Sequence, residues 1–230
     1  MRNTDLKRTY TEGPTAIPAH RDTSGKTLAD YPRPSVAVDT ALLTLGESAL
    51  MVLQVRRNDD TGLALPGTFL HPGERLADAV DRSLRVKAGV RGVRPRQLHV
   101  FDEPDRDDRG WVLSVAHVAV VAADRLERGL PERTRLAPTS QPGRLPYGHG
   151  GIIARAVEDL RVRYRAAPDP DGLLGAQFTL LELRAAHEAV AGEPLQRDWF
   201  RRTMEPLLRP TGTVVAGGRG RPAELFRRAR

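Results

Sequence analysis

Leu65–Val90, LPGTFLHPGERLADAVDRSLRVKAGV, is the stretch that decides the fold. Pro66-Gly67 closes an apolar segment, and Pro72-Gly73-Glu74 opens a helix expected to run to about Ala88. Leu76, Ala79, Val80 and Leu84 recur at helical spacing and mark one buried face. Gly89 suits the left-handed position that ends a helix. Upstream, Ser35–Leu45 and Ala49–Arg56 are rich in Val, Leu and Ala and are separated by Gly46-Glu47-Ser48, which predicts a hairpin. Downstream, strands are expected at Gln97–Phe101 and Trp111–Val121, on either side of the charged loop Asp102–Gly110.

Beyond this block the chain loosens and then changes style. Arg125–Gly148 is rich in Pro and Gly and reads as irregular, and Ile152, Ile153, Ala156, Leu160 and Tyr164 stripe one helix. Ala166–Gly175, AAPDPDGLLG, reads as the clearest linker in the chain. Thr179 and Glu182 then form a capping box that starts a helix ending near Gly192. A second helix is expected over Gln196–Leu208, followed by short strands at Thr211–Val215 and Ala223–Phe226 joined through GGRGRP. Two helices and a hairpin with arginines at its tip is the order of a winged helix-turn-helix.

Bulk properties narrow the classes. Of the 230 residues 40% are hydrophobic, enough for a core, but only 5% are aromatic, so Leu, Val and Ala must fill it. The absence of cysteine excludes disulfides and thiolate chemistry. No run nears the ~20 apolar residues of a membrane span. Residues 1–33 carry no apolar signal core, which leads to the expectation of a cytoplasmic protein. The net charge is +7, and almost every basic residue is arginine, with Lys7, Lys26 and Lys87 the exceptions. From Gln196 to Arg230 there are nine arginines against Asp198, Glu205 and Glu224, so the excess sits in the tail, as a polyanion partner requires.

Leu65–Val90 resembles the Nudix box, G-x5-E-x7-R-E-U-x-E-E-x-G-U, where U is a bulky aliphatic residue. Pro66-Gly67, Pro72-Gly73-Glu74, Arg82, Leu84, Gly89 and Val90 stand where that family has them, and the likeness extends over about 35–148. Nudix hydrolases hold Mg²⁺ with glutamates on one helix face. Here those positions are Ser83, Val86 and Lys87, and the first glycine of the box is Thr68. One remaining carboxylate, Glu74, is too little charge for a hard cation bridging two phosphates, so no catalytic residue and no metal is expected. Such a pocket can still cradle a nucleoside diphosphate. Arg56, Arg57, Arg106 and Arg109 would face phosphate and Asp107 would accept from ribose hydroxyls. Glu74, Arg82 and Lys87 complete the candidate set: Glu74 and Arg82 serve equally as a helix-terminal acid and a structural ion pair, and Lys87 as a solvated residue or a phosphate contact.

Phe178–Arg227 is similar to the C-terminal domain of the Nudix-related transcriptional regulators of NAD metabolism, the NrtR family. This resemblance implies an α+β chain with a Nudix-like α/β/α sandwich followed by a winged helix. The expected parts are an N-terminal arm (1–34), an effector domain (35–148), a helix and linker (149–175) and a DNA-binding domain (176–230). It further implies a homodimeric repressor of genes for NAD synthesis or salvage that binds a palindromic operator in double-stranded DNA and responds to ADP-ribose, with no cofactor. Arg197, Trp199, Arg201, Arg202 and Thr203 on the second helix and Arg219, Gly220 and Arg221 in the wing would meet the duplex. The family commonly has Asn and Lys where this chain has Trp199 and Thr203, which points to a different operator. The alternatives are an ADP-ribose pyrophosphatase with a basic accessory domain, and a regulator of the same build that answers to a sugar.

Overall fold

The computed structural model describes residues 20–126, 129–216 and 222–229. The chain divides into two units, Met1–Pro34 and Ser35–Arg230. In the described part of the first, Asp22 gathers Ser24, Lys26 and the Tyr31 hydroxyl, and Thr27 caps a single 3-10 turn, Leu28–Asp30.

The second unit opens with β1 (Ser35–Leu45) and β2 (Leu50–Arg56), the expected hairpin. Short β3 (Leu63–Ala64) and β4 (Gly67–Phe69) follow, then α1 (Leu76–Ala88), ended by Gly89 at φ 67°. The helix starts later than Pro72 because residues 72–74 are spent on the turn that turns the chain into it. Next come β5 (Arg96–Phe101), β6 (Val112–Val120), the one-turn α2 (Ala123–Leu126), β7 (Thr134–Pro138) and α3 (His149–Ala166). The sheet runs β3-β2-β1-β6-β5, with β4 also on β1 and β7 also on β2. β1 and β6 pair in parallel from Ser35↔Val112 to Leu43↔Val120, and the other pairings are antiparallel.

Alternation along β1 assigns the faces. Val38 and Leu42 pack with Leu53, Val55, Ala79, Val80 and Leu84 under α1. Ala41 and Leu43 pack with Leu50, Val52, Ile152, Ile153, Ala156 and Leu160 under α3. The result is an α/β/α sandwich. β7 falls inside the stretch expected to be irregular. It is five residues long, ends in Pro138 and buries only Ala137 fully, so it carries little alternation of its own; β2 supplies the partner that makes it a strand.

The C-terminal part comprises β8 (Phe178–Thr179), α4 (Leu180–Ala191), α5 (Arg197–Met204), a 3-10 turn (Glu205–Leu207), β9 (Leu208–Val215) and β10 (Ala223–Arg228). Its sheet is ordered β8-β10-β9, and Phe178, Leu183, Phe200, Met204, Leu208 and Phe226 form its core. The Thr179–Glu182 capping box and the Gly192 cap bound α4 as expected. Residues 166–175 are not an exposed tether: Asp169 and Leu173 are buried, and Leu173 packs in the same cluster as Leu160 and Val190. Among the described residues no helix is long and apolar enough to cross a membrane.

Candidate functional site

A cavity of about 310 Å³ opens where the ends of β2 and β4 meet the loops 102–110 and 139–148. Arg56, Arg57, Lys87, Arg106, Asp107 and Arg109 all line it. With Asp39 and Asp59 also in the wall, five cationic side chains face three carboxylates, and the excess of positive charge favours an anion.

Four of the five cations are held in different ways. The Arg109 guanidinium lies 4.0 Å from the Tyr147 ring centroid and 5.0 Å from that of Phe69. Asp107 grips it in a fork, with Nε to Oδ1 at 2.8 Å and a terminal nitrogen to Oδ2 at 2.6 Å. That hydrogen bonding holds the Asp107 carboxyl below its ordinary range and raises Arg109. Both Asp107 oxygens accept from Arg109 and the side chain is only 1% exposed, so in this structure the carboxylate aims an arginine. Arg57 pairs with Asp59 at 2.7 Å and lies 5.3 Å from the Tyr147 ring. Arg106 donates to the Tyr147 carbonyl at 2.6 Å, and its buried Nε has no partner among the described residues. Lys87 donates to the Gly67 carbonyl. Burial pushes its ammonium down, the nearby Arg109 and Arg82 add to this, and Asp39 opposes it.

Glu74 and Arg82 are not part of the cavity wall. Arg82 meets Glu74 through two nitrogens at 2.8 Å each, and also reaches the Thr68 hydroxyl and the Phe69 carbonyl. The Arg82 hydrogen bonds, with that from the His71 N–H, draw Glu74 down to about 2. The pair clips the 68–74 loop to α1. Of the other positions on that helix, Ser83 is buried with no partner for its hydroxyl among the described residues, and Val86 faces outward.

Among the lining residues that the sequence did not single out are Asp39, Phe69, Tyr147 and His149. An acid in the apolar run VAVDTALL was the available signal for Asp39. It is buried, with its Oδ2 accepting from the Ser114 hydroxyl at 2.6 Å. His149 Nδ1 accepts from the Leu65 N–H at 3.0 Å, so Nε2 carries the ring hydrogen and faces Asp39 Oδ1 at 3.3 Å, out of line for a full hydrogen bond. Burial pushes Asp39 up, but His149, Ser114 and the Arg106 charge together bring it below its ordinary value. Tyr147 has φ 57°, a left-handed conformation rare for an aromatic residue, and it presents its ring to two arginines. It lies in a Pro/Gly-rich stretch with no periodicity to single it out.

The second candidate surface is α5. Arg197, Trp199, Arg201, Arg202 and Thr203 are all exposed, with Trp199 at 51%, while Phe200 and Met204 are buried beneath them. Gln196 caps the helix through the Trp199 N–H. Arg201 is paired with Glu205 at 2.7 Å, whereas Arg197 and Arg202 make no ion pair among the described residues. Arg219, Gly220 and Arg221 lie outside the described residues.

Comparison with known proteins follows the same division. Residues 172–228 match the NrtR DNA-binding winged helix domain. The ADPR responsive transcriptional repressor NtrR of Acinetobacter baylyi is 27% identical over 210 residues, 86% of this chain and 84% of that protein. NrtR of Shewanella oneidensis, crystallised with a 27mer DNA, is 30% identical with a TM-score of 0.72, over 84% of this chain and 93% of that one. The Nudix domain of that regulator, crystallised with ADP ribose, is 25% identical with a TM-score of 0.52, over 60% of this chain and 95% of that one.

Proposed function

Because the chain belongs to the NrtR family of Nudix-related transcriptional regulators, we propose that it is a cytoplasmic, ADP-ribose-responsive repressor of genes for NAD synthesis or salvage. Residues 35–148 sense the ligand, 176–230 bind DNA, and 149–175 join them. The observation that carries this reading is the combination, in one chain, of a cationic cavity and an exposed arginine-bearing helix.

In the cavity, Arg56, Arg57, Arg106 and Arg109 neutralise the two phosphates of ADP-ribose, and the Arg106 Nε, which has no partner among the described residues, is a donor for them. Lys87 brings a positive charge to the helix face where a Nudix hydrolase gathers glutamates. With Ser83 and Val86 beside it, that face does not fit Mg²⁺, and the protein binds the diphosphate without cutting it. Arg109→Ala removes a stacked and forked cation, so ADP-ribose affinity falls about ten-fold or more by calorimetry, while operator binding without ligand is unchanged.

On the DNA side, α5 enters the major groove. Arg197 and Arg202, which make no ion pair among the described residues, contact phosphate or base edges, Trp199 and Thr203 sit beside them, and Arg201 must first leave Glu205. The wing residues Arg219, Gly220 and Arg221 add a second contact. A homodimer presents two such helices to half-sites of a palindromic operator about 34 Å apart. The test is a mobility shift with DNA from the gene's own neighbourhood. Binding that weakens steeply with salt supports the reading, and absence of a shift at modest salt overturns it. A thermal-shift panel of ADP-ribose, NAD and pentoses separates a nucleotide effector from a sugar.

A further inference from the structure

The most completely satisfied buried charge outside the cavity is Asp169, in the segment that reads as a linker. Its side chain has no exposure and its φ is 46°. Oδ1 accepts from the Tyr164 hydroxyl at 2.5 Å and from the Leu173 N–H at 2.8 Å. Oδ2 accepts from the Leu174 N–H at 3.1 Å and is paired with Arg228. Its own N–H donates to His187 Nε2 at 3.4 Å. The His187 ring lies between those of Tyr164 and Phe200, 4.9 and 5.0 Å away by centroid. One residue therefore meets three elements: its carboxylate reaches α3 through Tyr164 and β10 through Arg228, and its backbone N–H reaches α4 through His187. Through His187 it backs Phe200, the buried face of α5.

The helix that ends at this cluster begins at the cavity. His149, the first residue of α3, contacts Leu65 and Asp39, and Tyr147 just before it carries Arg106 on its carbonyl and Arg57 and Arg109 on its ring. Its 18 residues span about 27 Å, with Ile152, Ile153, Ala156 and Leu160 fully packed along the way. Packed helices shift as bodies and do not stretch.

We propose that Asp169 is a positioning residue that locks the DNA-reading domain onto the far end of α3, so that ligand binding at Tyr147 and His149 reaches α5 by movement of α3 and not through a flexible tether. This rests on the reading of the chain as a ligand-responsive DNA-binding protein. A buried, fully paired ion of this kind is satisfied in only one arrangement of the elements that meet it.

Two measurements on the full chain test it. Tyr164→Phe keeps the ring and removes one of the bonds to Asp169, and Asp169→Asn keeps the shape and removes the charge. For each, ADP-ribose affinity stays within about two-fold of the parent, while the ratio of operator affinities without and with ADP-ribose shrinks about five-fold or more. A variant that binds ligand normally and keeps the parental ratio overturns the proposal. Hydrogen exchange on the unaltered protein needs no variant. The Leu173 and Leu174 amides are protected as strongly as the core of α3, and exchange at the rate of an open linker overturns the lock. If the unaltered protein shows no ADP-ribose effect on DNA at all, the functional reading fails, and the exchange result still decides whether the lock exists.

Discussion

A methyl group on Gly67 would lie 1.8 Å from Asp39 Oδ1 and 3.0 Å from the Val38 carbonyl, both in β1. One contact is a buried side chain and the other is backbone, so neither yields cheaply. Gly67→Ala lowers unfolding free energy by about 1–3 kcal/mol in denaturant titration, with Asp39 displaced from His149. His187 makes a second residue-scale claim. Burial pushes it down to about 4 from an ordinary 6.5, so the folded chain keeps it neutral where the unfolded chain takes up a proton. Its contribution is complete above about pH 6.5 and is lost as pH falls toward 4, at most on the order of 3 kcal/mol. His117 is pushed down as well, also by burial. Thermal melts of His187→Gln between pH 4 and 7 are therefore flatter than those of the parent but still slope.

At the scale of elements, legibility followed periodicity. The stripe Leu76-Ala79-Val80-Leu84 and the stripe from Ile152 to Tyr164 each fell on a buried face, and Gly89 and Gly192 capped where left-handed glycines were expected. β7 and the packed segment 166–175 were illegible because both take their structure from distant partners, β2 in one case and His187 and Arg228 in the other. The cavity was half legible for the same reason. Its arginines stand out as charges, but Asp39, Tyr147 and His149 join it only through the fold. Since α3 is the element that touches both cavity and junction, Leu160→Ala, which empties a fully buried site beneath it, costs about 2–5 kcal/mol by chemical denaturation.

Across the whole molecule, charge is divided by use. Arg57, Arg106 and Arg109 of the cavity are stacked, forked or hydrogen-bonded into place, which suits a small diphosphate, while Arg197 and Arg202 lie on an exposed helix and make no ion pair among the described residues, which suits a long polyanion. A regulator needs those two anion sites to oppose one another through the protein between them. The most direct test is fluorescence anisotropy of labelled operator DNA titrated with the protein, with and without saturating ADP-ribose, followed by assay of the ADP-ribose recovered. The account predicts an affinity about ten-fold or more weaker with the ligand present, and ADP-ribose returned intact even with Mg²⁺. Equal affinity in both titrations, or conversion of the ligand to AMP at ordinary enzyme rates, would contradict it.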